Sequence, residues 1–151
     1  MQDEKQIWVA ALGYHRARLW RGQWVQSGSG RLHLERIDEV RNPWEELIED
    51  FDSAELPGEG GRDAEFLARY AGDVARWLNA AVRKHEVPDL LVFSPTRLWA
   101  LLRPSASLPT ALETHQFGED LSVLSQADLE RHESVLRAAR DEGRDASRRA
   151  S

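Results

Sequence analysis

Residues 64–85 carry apolar side chains at steps of three and four, and an uninterrupted apolar run follows at residues 90–93. The first spacing places the apolar side chains on one face of a helix. The run at 90–93 has no polar alternation, which is typical of a strand covered on both faces. Residues 98–102 are again apolar and predict a second helix. Because helix, buried strand and helix follow one another, the chain is predicted to form an α/β sheet.

Three strand-like segments come before this unit. Residues 7–12 are apolar throughout and predict a central strand, and residues 17–20 predict its antiparallel neighbour. At residues 21–23 the sequence is compatible with a turn or with continuation of the strand. Residues 31–40 alternate at first and lose their register before Ile37, which predicts a β-bulge.

The remaining segments complete the predicted sheet. Residues 111–117 predict a last edge strand, and residues 126–140 predict a terminal helix. Right-handed crossovers would place the fourth strand parallel to the first and beside it. The predicted fold is a mixed five-stranded α/β sheet in the order 3-2-1-4-5, ribonuclease-H-like, with helices on both faces. We expect a single domain over residues 1–140 and a flexible charged tail over residues 141–151, which has no apolar face.

The composition narrows the range of functions. The chain has no cysteine, which excludes disulfides, thiolate metal sites and a Cys nucleophile. No apolar run approaches the roughly 20 residues of a membrane helix, and no signal-peptide hydrophobic region follows the acidic start. We therefore expect a cytoplasmic protein without a membrane partner. The net charge of −6 opposes an approach to nucleic acid unless basic residues are segregated on one face.

Metal and cofactor chemistry is not predicted. The histidines have no close helical spacing, and no carboxylate-rich calcium loop is present. A ribonuclease-H-like sheet invites two-metal nuclease chemistry, which requires carboxylates that converge on the central strand. Residues 7–12 contain no carboxylate. We therefore predict no metal, no cofactor and no catalytic residue of the nuclease type.

Polar side chains follow two strands that the predicted order makes neighbours. Tyr14 and His15 come after the first strand, and Ser94 and Thr96 come after the fourth. Ligands of open α/β sheets bind beyond the carboxyl ends of the strands, so these four residues predict a sheet-end pocket. A small-molecule hydrolase built on Ser94 and His15 is one use of it, although the Gly-x-Ser-x-Gly elbow is missing. The alternative is that Ser94 and Thr96 cap the following helix.

A glycine-rich segment, Pro57-Gly58-Glu59-Gly60-Gly61-Arg62-Asp63, precedes the long helix. Glycine amides before a helix can bind phosphate, but Glu59 and Asp63 would repel an anion, and the spacing matches no phosphate-binding fingerprint. Asp63 is a candidate N-cap of the helix. Two interpretations remain: a mobile connector, or an exposed loop whose Arg62 contacts an RNA phosphate or a partner carboxylate.

Three segments together resemble a known protein family. They are the first strand with Ala17-Arg18-Leu19-Trp20, the strand and helix at 91–103, and Gly118-Glu119-Asp120-Leu121-Ser122 before the last helix. The combination resembles the small bacterial host attachment proteins, also described as proteins required for attachment to host cells. That family is similar in turn to the middle domain of archaeal and eukaryotic peptide-chain release factors. The resemblance covers residues 6–138.

The resemblance implies a release-factor-middle-domain-like fold and a loop that contacts the ribosome. The Gly-Gly-Gln loop of release factors matches Gly60-Gly61-Arg62, followed by a helix with Ala64 and Phe66. Because arginine stands at the glutamine position, peptide release is not expected. The acidic residue that the attachment proteins carry after the first strand is also missing, since Gly13-Tyr14-His15 stands there.

The leading hypothesis is therefore a non-catalytic protein that binds the ribosome or RNA. Six residues are the candidate contacts to RNA or to a partner: Gly60, Gly61, Arg62, Arg69, Arg83 and Arg97. The second hypothesis is a protein-interaction module involved in attachment to host cells, which would use the acidic stretch 45–55 or an exposed tryptophan such as Trp24 or Trp44. The small-molecule hydrolase is the third.

Overall fold

The computed structural model describes residues 6–25, 31–47, 61–109 and 112–150. Short 3-10 turns at Glu45–Leu47 and Arg103–Ser105 accompany the main elements. In chain order, these are β1 (Ile7–Leu12), β2 (Arg16–Val25), β3 (Arg31–Arg41), α1 (Gly61–Lys84), β4 (Asp89–Phe93), α2 (Thr96–Leu102), β5 (Glu113–Phe117), α3 (Gln126–Arg131) and α4 (Glu133–Ala150).

The strands form one mixed sheet in the order β3-β2-β1-β4-β5. β1 is antiparallel to β2 and parallel to β4, and β5 is parallel to β4. The fold class and the strand order 3-2-1-4-5 are therefore confirmed. The parallel arrangement follows from the connections, because α1 and α2 carry the chain from the carboxyl end of one strand back to the start of the next.

Both faces of the sheet are covered by helices, as predicted. β1 is buried at all six positions, and its side chains belong alternately to two separate cores, one on each face of the sheet. One core joins alternate residues of β1 to the apolar faces of α1 and α2, and its members include Trp8, Ala10, Leu12, Leu67, Tyr70, Val74, Leu78 and Leu98. The other core joins the opposite face to α3 and α4, and its members include Val9, Ala11, Phe93, Leu129, Val135 and Ala139.

β2 runs without interruption through residues 21–23, so a turn there is wrong. Gly22 permits this because its missing side chain leaves room for the neighbouring strand. A Cβ at Gly22 would lie 2.7 Å from Cδ2 of Leu34. The predicted bulge is confirmed, since the pairing of β2 with β3 shifts at Leu19/Trp20 and leaves Ile37 as the extra residue.

α1 begins at Gly61, two residues before Asp63. Asp63 is therefore in the first turn and is not the N-cap, and Gly61 belongs to the helix instead of the preceding loop. Glycine favours a loop by propensity, but the first turn makes few intrahelical bonds and tolerates it. The rest of the glycine segment, residues 57–60, lies outside the described residues.

The predicted terminal helix is two helices, α3 and α4, because His132 has extended backbone angles of φ −68° and ψ 128°. Its ring accepts a hydrogen bond from the amide of Ser134 (Nδ1 to N, 3.2 Å), which starts α4. α4 continues to Ala150, beyond the expected end at Arg140. Alanine, arginine and glutamate there are good helix formers. The domain limit at residue 140 and a mobile tail stay predictions.

Candidate functional site

The carboxyl ends of β1, β4 and β5 lie at the same end of the sheet, which we call the carboxyl end of the sheet. The turn after β1 begins with Gly13, and the segment after β5 folds back over it. A Cβ at Gly13 would lie 1.9 Å from Oγ of Ser122 and 2.7 Å from Oδ1 of Asp120. Only glycine therefore allows this close approach.

Ser122 and Asp120 form a small hydrogen-bonded unit over Gly13. The Ser122 hydroxyl donates to Oδ1 of Asp120 at 2.6 Å, and the Ser122 amide donates to the same oxygen at 3.1 Å. Ser122 is 1% exposed, so its hydroxyl is removed from solvent. These two bonds hold the segment after β5 in place, and burial makes the Ser122 hydroxyl inaccessible as a nucleophile.

Tyr70 of α1 contacts the same turn at Gly13 from the side of the helix. Its hydroxyl donates to the carbonyl oxygen of Gly13 at 2.5 Å. Burial raises the pKa of the Tyr70 phenol far above its ordinary value, and the nearby carboxylates Asp120 and Glu45 raise that pKa further. Tyr70 is therefore a neutral donor. The carboxylates Asp120 and Glu45 oppose the binding of an anion beside this hydroxyl.

Two of the four predicted pocket residues lie beside β5. Ser94 is completely buried, and its hydroxyl donates to the carbonyl oxygen of Pro95 at 2.9 Å. Thr96 is the first residue of α2, and its Oγ1 would lie 2.9 Å from a Cβ at Gly118. Pro95 occupies the N-cap position of α2 without a side-chain bond, so capping by Ser94 or Thr96 is wrong.

The other two pocket residues face the end of β3. His15 Nδ1 lies 3.0 Å from Oε2 of Glu45, and the carbonyl oxygen of Tyr14 accepts a hydrogen bond from the buried side chain of Asn42. In the described ranges no hydrogen bond joins this pair to Ser94 or Thr96. The buried Ser94 hydroxyl gives no support to a Ser94–His15 hydrolase, and the four-residue pocket stays a prediction.

Arginines form a row on the solvent side of α1. Arg69, Arg76 and Arg83 are all exposed and lie seven residues apart. Seven residues are nearly two helical turns, so these side chains project on the same side of the helix, about 10.5 Å apart. Arg62 is seven residues before Arg69, and its backbone lies within α1. Arg76 was not among the predicted contact residues, although its regular spacing with Arg69 and Arg83 is visible in the sequence.

The positive charge of this row is concentrated toward the end of α1. Arg69 forms an ion pair with Glu65 at 2.8 Å, and Arg76 pairs with Asp73. Arg83 and Lys84 have no ion pair with any residue that the structure describes. We call the exposed side of residues 69–84, with Arg69, Arg76, Arg83 and Lys84, the arginine row. Arg97 is half-buried on α2 and is not part of it.

The contacts proposed for an interaction module are less exposed than expected. Trp24 is half-buried, with the Arg140 guanidinium 5.8 Å from its ring centroid. Trp44 is also half-buried and packs against the core beneath α1. Residues 48–55 of the acidic stretch lie outside the described residues. Neither tryptophan is therefore an exposed anchor.

The described ranges lack both a candidate metal site and a membrane span. These contain no group of three or more His, Asp or Glu side chains placed to hold a metal ion. They also contain no helix with the length and apolar content of a membrane span.

Comparison with known proteins gives no family: no family model and no curated protein matches the chain. Among solved structures, the chain is similar to an exopolyphosphatase from Cytophaga hutchinsonii (12% identity, 74% of this chain and 34% of that one, TM-score 0.44). It is similar to a Ppx/GppA family member from Aquifex aeolicus (10%, 74% and 35%, TM-score 0.42). It is also similar to the archaeal translation termination factor aRF1 (15%, 97% and 41%, TM-score 0.36). The chain spans between 34% and 41% of the length of these structures.

Proposed function

We propose that this protein is a non-catalytic RNA-binding protein that contacts the ribosome, or another structured RNA, through the arginine row of α1. The observation that carries the proposal is the alignment of Arg69, Arg76 and Arg83 on one exposed side of a single rigid helix. Guanidinium groups bind phosphate oxygens with two parallel hydrogen bonds. Three of them over about 21 Å can follow a run of phosphates.

The net charge of −6 does not oppose this contact locally. Residues 74–84 of α1 contain Arg76, Arg83 and Lys84 and no carboxylate. Basic charge is thus concentrated in the last part of α1, and such local clustering favours nucleic-acid binding by an acidic protein. The end of α1 also has the negative pole of the helix dipole, which favours cations there.

The ion pairs of the arginine row leave its arginines available to bind phosphate. Glu65 is 60% exposed and its partner Arg69 is 55% exposed. Exposed pairs of this kind contribute about 0–1 kcal/mol. A phosphate that forms two hydrogen bonds can therefore displace the carboxylate, and until then the pair holds the arginine above the helix surface.

The proposal extends to the glycine segment and to the family resemblance. Gly60, Gly61 and Arg62 come shortly before Arg69 in the sequence, and we propose them as further contacts to the same RNA. We propose a cytoplasmic protein of the host attachment type with a release-factor-like domain that lacks peptide release. Arginine at the glutamine position, Arg62, supports a binding role without hydrolysis.

Co-sedimentation with bacterial ribosomes at low salt tests the proposal. The full chain should pellet with ribosomes, and the double variant Arg76→Glu/Arg83→Glu should reduce pelleting at least tenfold. The matched control is Arg131→Glu/Arg137→Glu on α3 and α4, which makes the same charge change on the other side of the sheet. Absence of pelleting by the unaltered chain would refute the proposal, as would an equal loss in the control.

A fluorescein-labelled RNA hairpin in an anisotropy titration separates RNA from ribosomal protein. Binding of the hairpin that shows the same loss in Arg76→Glu/Arg83→Glu supports direct RNA contact. Ribosome pelleting without hairpin binding would instead assign the contact to a ribosomal protein.

A further inference from the structure

The two edge strands of the sheet, β3 and β5, differ in the hydrogen bonding of their outward backbone groups. At the β3 edge, the amide of Leu34 points away from β2 and donates to Oε2 of Glu130 in α3, at 2.7 Å. A carboxylate placed there blocks the pairing of another strand. At the β5 edge, no residue that the structure describes forms a hydrogen bond to the outward backbone groups.

The outward groups of β5 can be identified from its pairing with β4. The amide of Glu113 donates to the carbonyl oxygen of Pro88 at 3.1 Å, and the amide of Ser94 donates to the carbonyl oxygen of Phe117 at 3.0 Å. In a parallel ladder every second residue bonds to the same neighbour. Thr114 and Gln116 therefore present their N–H and C=O groups away from the sheet.

A groove runs beside this edge, on the face of the sheet that α2 covers. It has a volume of about 550 Å³ and is lined by Trp99, Arg103, Ala106, Leu108, Thr114 and Gln116. Arg103 is exposed and forms no ion pair with a described residue. Thr96 lies near Gly118, so α2 runs back along β5 and places Arg103 toward the Thr114 end.

We propose that the β5 edge binds an extended segment of a partner protein, which adds to the sheet as a sixth strand. The backbone of the segment bonds to Thr114 and Gln116. Its groove-facing side chains alternate, with an apolar residue against Trp99 and a carboxylate against Arg103. Such strand addition combines affinity from main-chain bonds with specificity from alternate side-chain pockets.

The charge of the groove favours a different protein over a second copy of this chain. If two β5 strands paired, the groove-facing positions of the added strand would again be Thr114 and Gln116. Glu113 alternates with them and lies on the opposite face. The β5 strand of a second copy would therefore bring no carboxylate to Arg103, whereas a foreign segment can carry one.

Panning a display library of random octapeptides against the full chain tests the proposal. The enriched peptides should have a carboxylate with apolar residues two positions away, and Arg103→Glu should weaken the binding of the synthesised peptides at least tenfold. The matched control Arg137→Glu, on α4 and the opposite face of the sheet, should leave peptide binding unchanged. Failure to enrich any peptide, or equal binding by Arg103→Glu, would overturn the proposal.

Thr114→Pro tests the backbone contact. Proline has no N–H, so the variant loses the outward donor of residue 114, while all hydrogen bonds between β5 and β4 are kept. It should abolish peptide binding while the circular dichroism spectrum stays unchanged. Peptides N-methylated at the amide that faces β5 give the same test without altering the protein, and unweakened binding of these peptides would contradict strand addition. Sedimentation that shows a dimer dissociated by Thr114→Pro would assign the edge to a second copy and would also overturn the proposal.

Discussion

The hydroxyl of Tyr70 donates a hydrogen bond to the carbonyl oxygen of Gly13, and this bond joins the buried face of α1 to the turn that ends β1. On its other side, Gly13 packs against Ser122 from the segment after β5. A helix, a central strand and an edge strand are therefore connected through one glycine. The carboxyl end of the sheet is a structural junction in which the hydroxyls of Tyr70, Ser94 and Ser122 are already bonded within the protein.

Tyr70→Phe removes one donor from this junction without changing the packing volume much. The carbonyl oxygen of Gly13 would lose its buried partner, which costs about 1–3 kcal/mol. We expect the free energy of unfolding in urea to fall by that amount with an unchanged m-value. A variant as stable as the original chain would show that water replaces the phenol and that the site is open to solvent.

Gly13→Ala tests the close approach of the two turns. The new Cβ would overlap Oγ of Ser122, so the segment after β5 must move, and overpacking of this kind costs about 1–3 kcal/mol. The additional change Ser122→Gly should recover part of the loss, because it removes both atoms of the Ser122 side chain. Unfolding free energies of the two single variants and the double variant give the coupling directly.

Gly72→Ala is the matched control for that substitution. A Cβ at Gly72 has Nη1 of Arg76 at 3.6 Å as its nearest neighbour, which is an ordinary contact. Alanine inside a helix is favoured over glycine by about 1 kcal/mol. The control variant should therefore be as stable as the original chain or more stable. Destabilisation of both variants would show that the effect at Gly13 is not specific to its contacts.

The sequence predicted the parts of the fold that depend on local patterns. The continuous apolar run at 7–12 is a central strand, and the loss of register before Ile37 is a bulge. The sheet order followed from the handedness of crossovers. The close approach of Gly13 to Ser122 was not predictable, because it joins segments that are distant in the chain and leaves no periodic pattern.

The arginine row also has one feature that the sequence predicts and another that only the structure shows. The seven-residue spacing of Arg69, Arg76 and Arg83 is a sequence property, and it places them on one side of any helix that contains them. Their ion pairs require geometry, because Glu65 and Asp73 could equally have turned toward solvent. The surroundings of Ser94 likewise require geometry. Its position after β4 was correct, but only the structure shows its hydroxyl bonded to Pro95 and buried.

Glu39 gives a prediction for acidic pH. Its hydrogen bond with Arg18 at 2.6 Å, and the charges of Arg18, Arg36 and Arg41, lower the pKa of its carboxyl group against a smaller opposing effect of burial. A carboxylate with a depressed pKa stabilises the folded state above the unfolded pKa of about 4.3. That contribution is lost as the pH falls below this value.

Glu39→Gln should therefore destabilise the protein at pH 7 and make little difference at the lowest pH where the chain still folds. Urea unfolding of both proteins across the range from neutral to acidic pH measures this difference. A constant difference between the two proteins at every pH would contradict an electrostatic origin.

Glu130→Ala would expose the β3 edge. The amide of Leu34, a fully buried residue, would lose its acceptor, so we expect a loss of about 1–3 kcal/mol. The variant should also self-associate at high concentration, since the blocking carboxylate is gone. Glu130→Gln keeps an acceptor oxygen and should lose less stability. Sedimentation velocity that shows only monomer for Glu130→Ala would mean that α3 covers this edge without help from its carboxylate.

Arg83→Ala tests whether the arginine row contacts phosphates. An arginine that neutralises one phosphate releases its counterion, so the slope of log K against log salt should become shallower by about 0.7 for single-stranded RNA and about 0.9 for a duplex. Arg137→Ala, on α4, removes the same charge from the opposite side of the sheet and should leave the slope unchanged. Titrating the RNA hairpin at several salt concentrations measures both slopes. If Arg83→Ala weakened binding while the slope stayed the same, Arg83 would act through protein structure, and the row would not be the RNA contact that we propose.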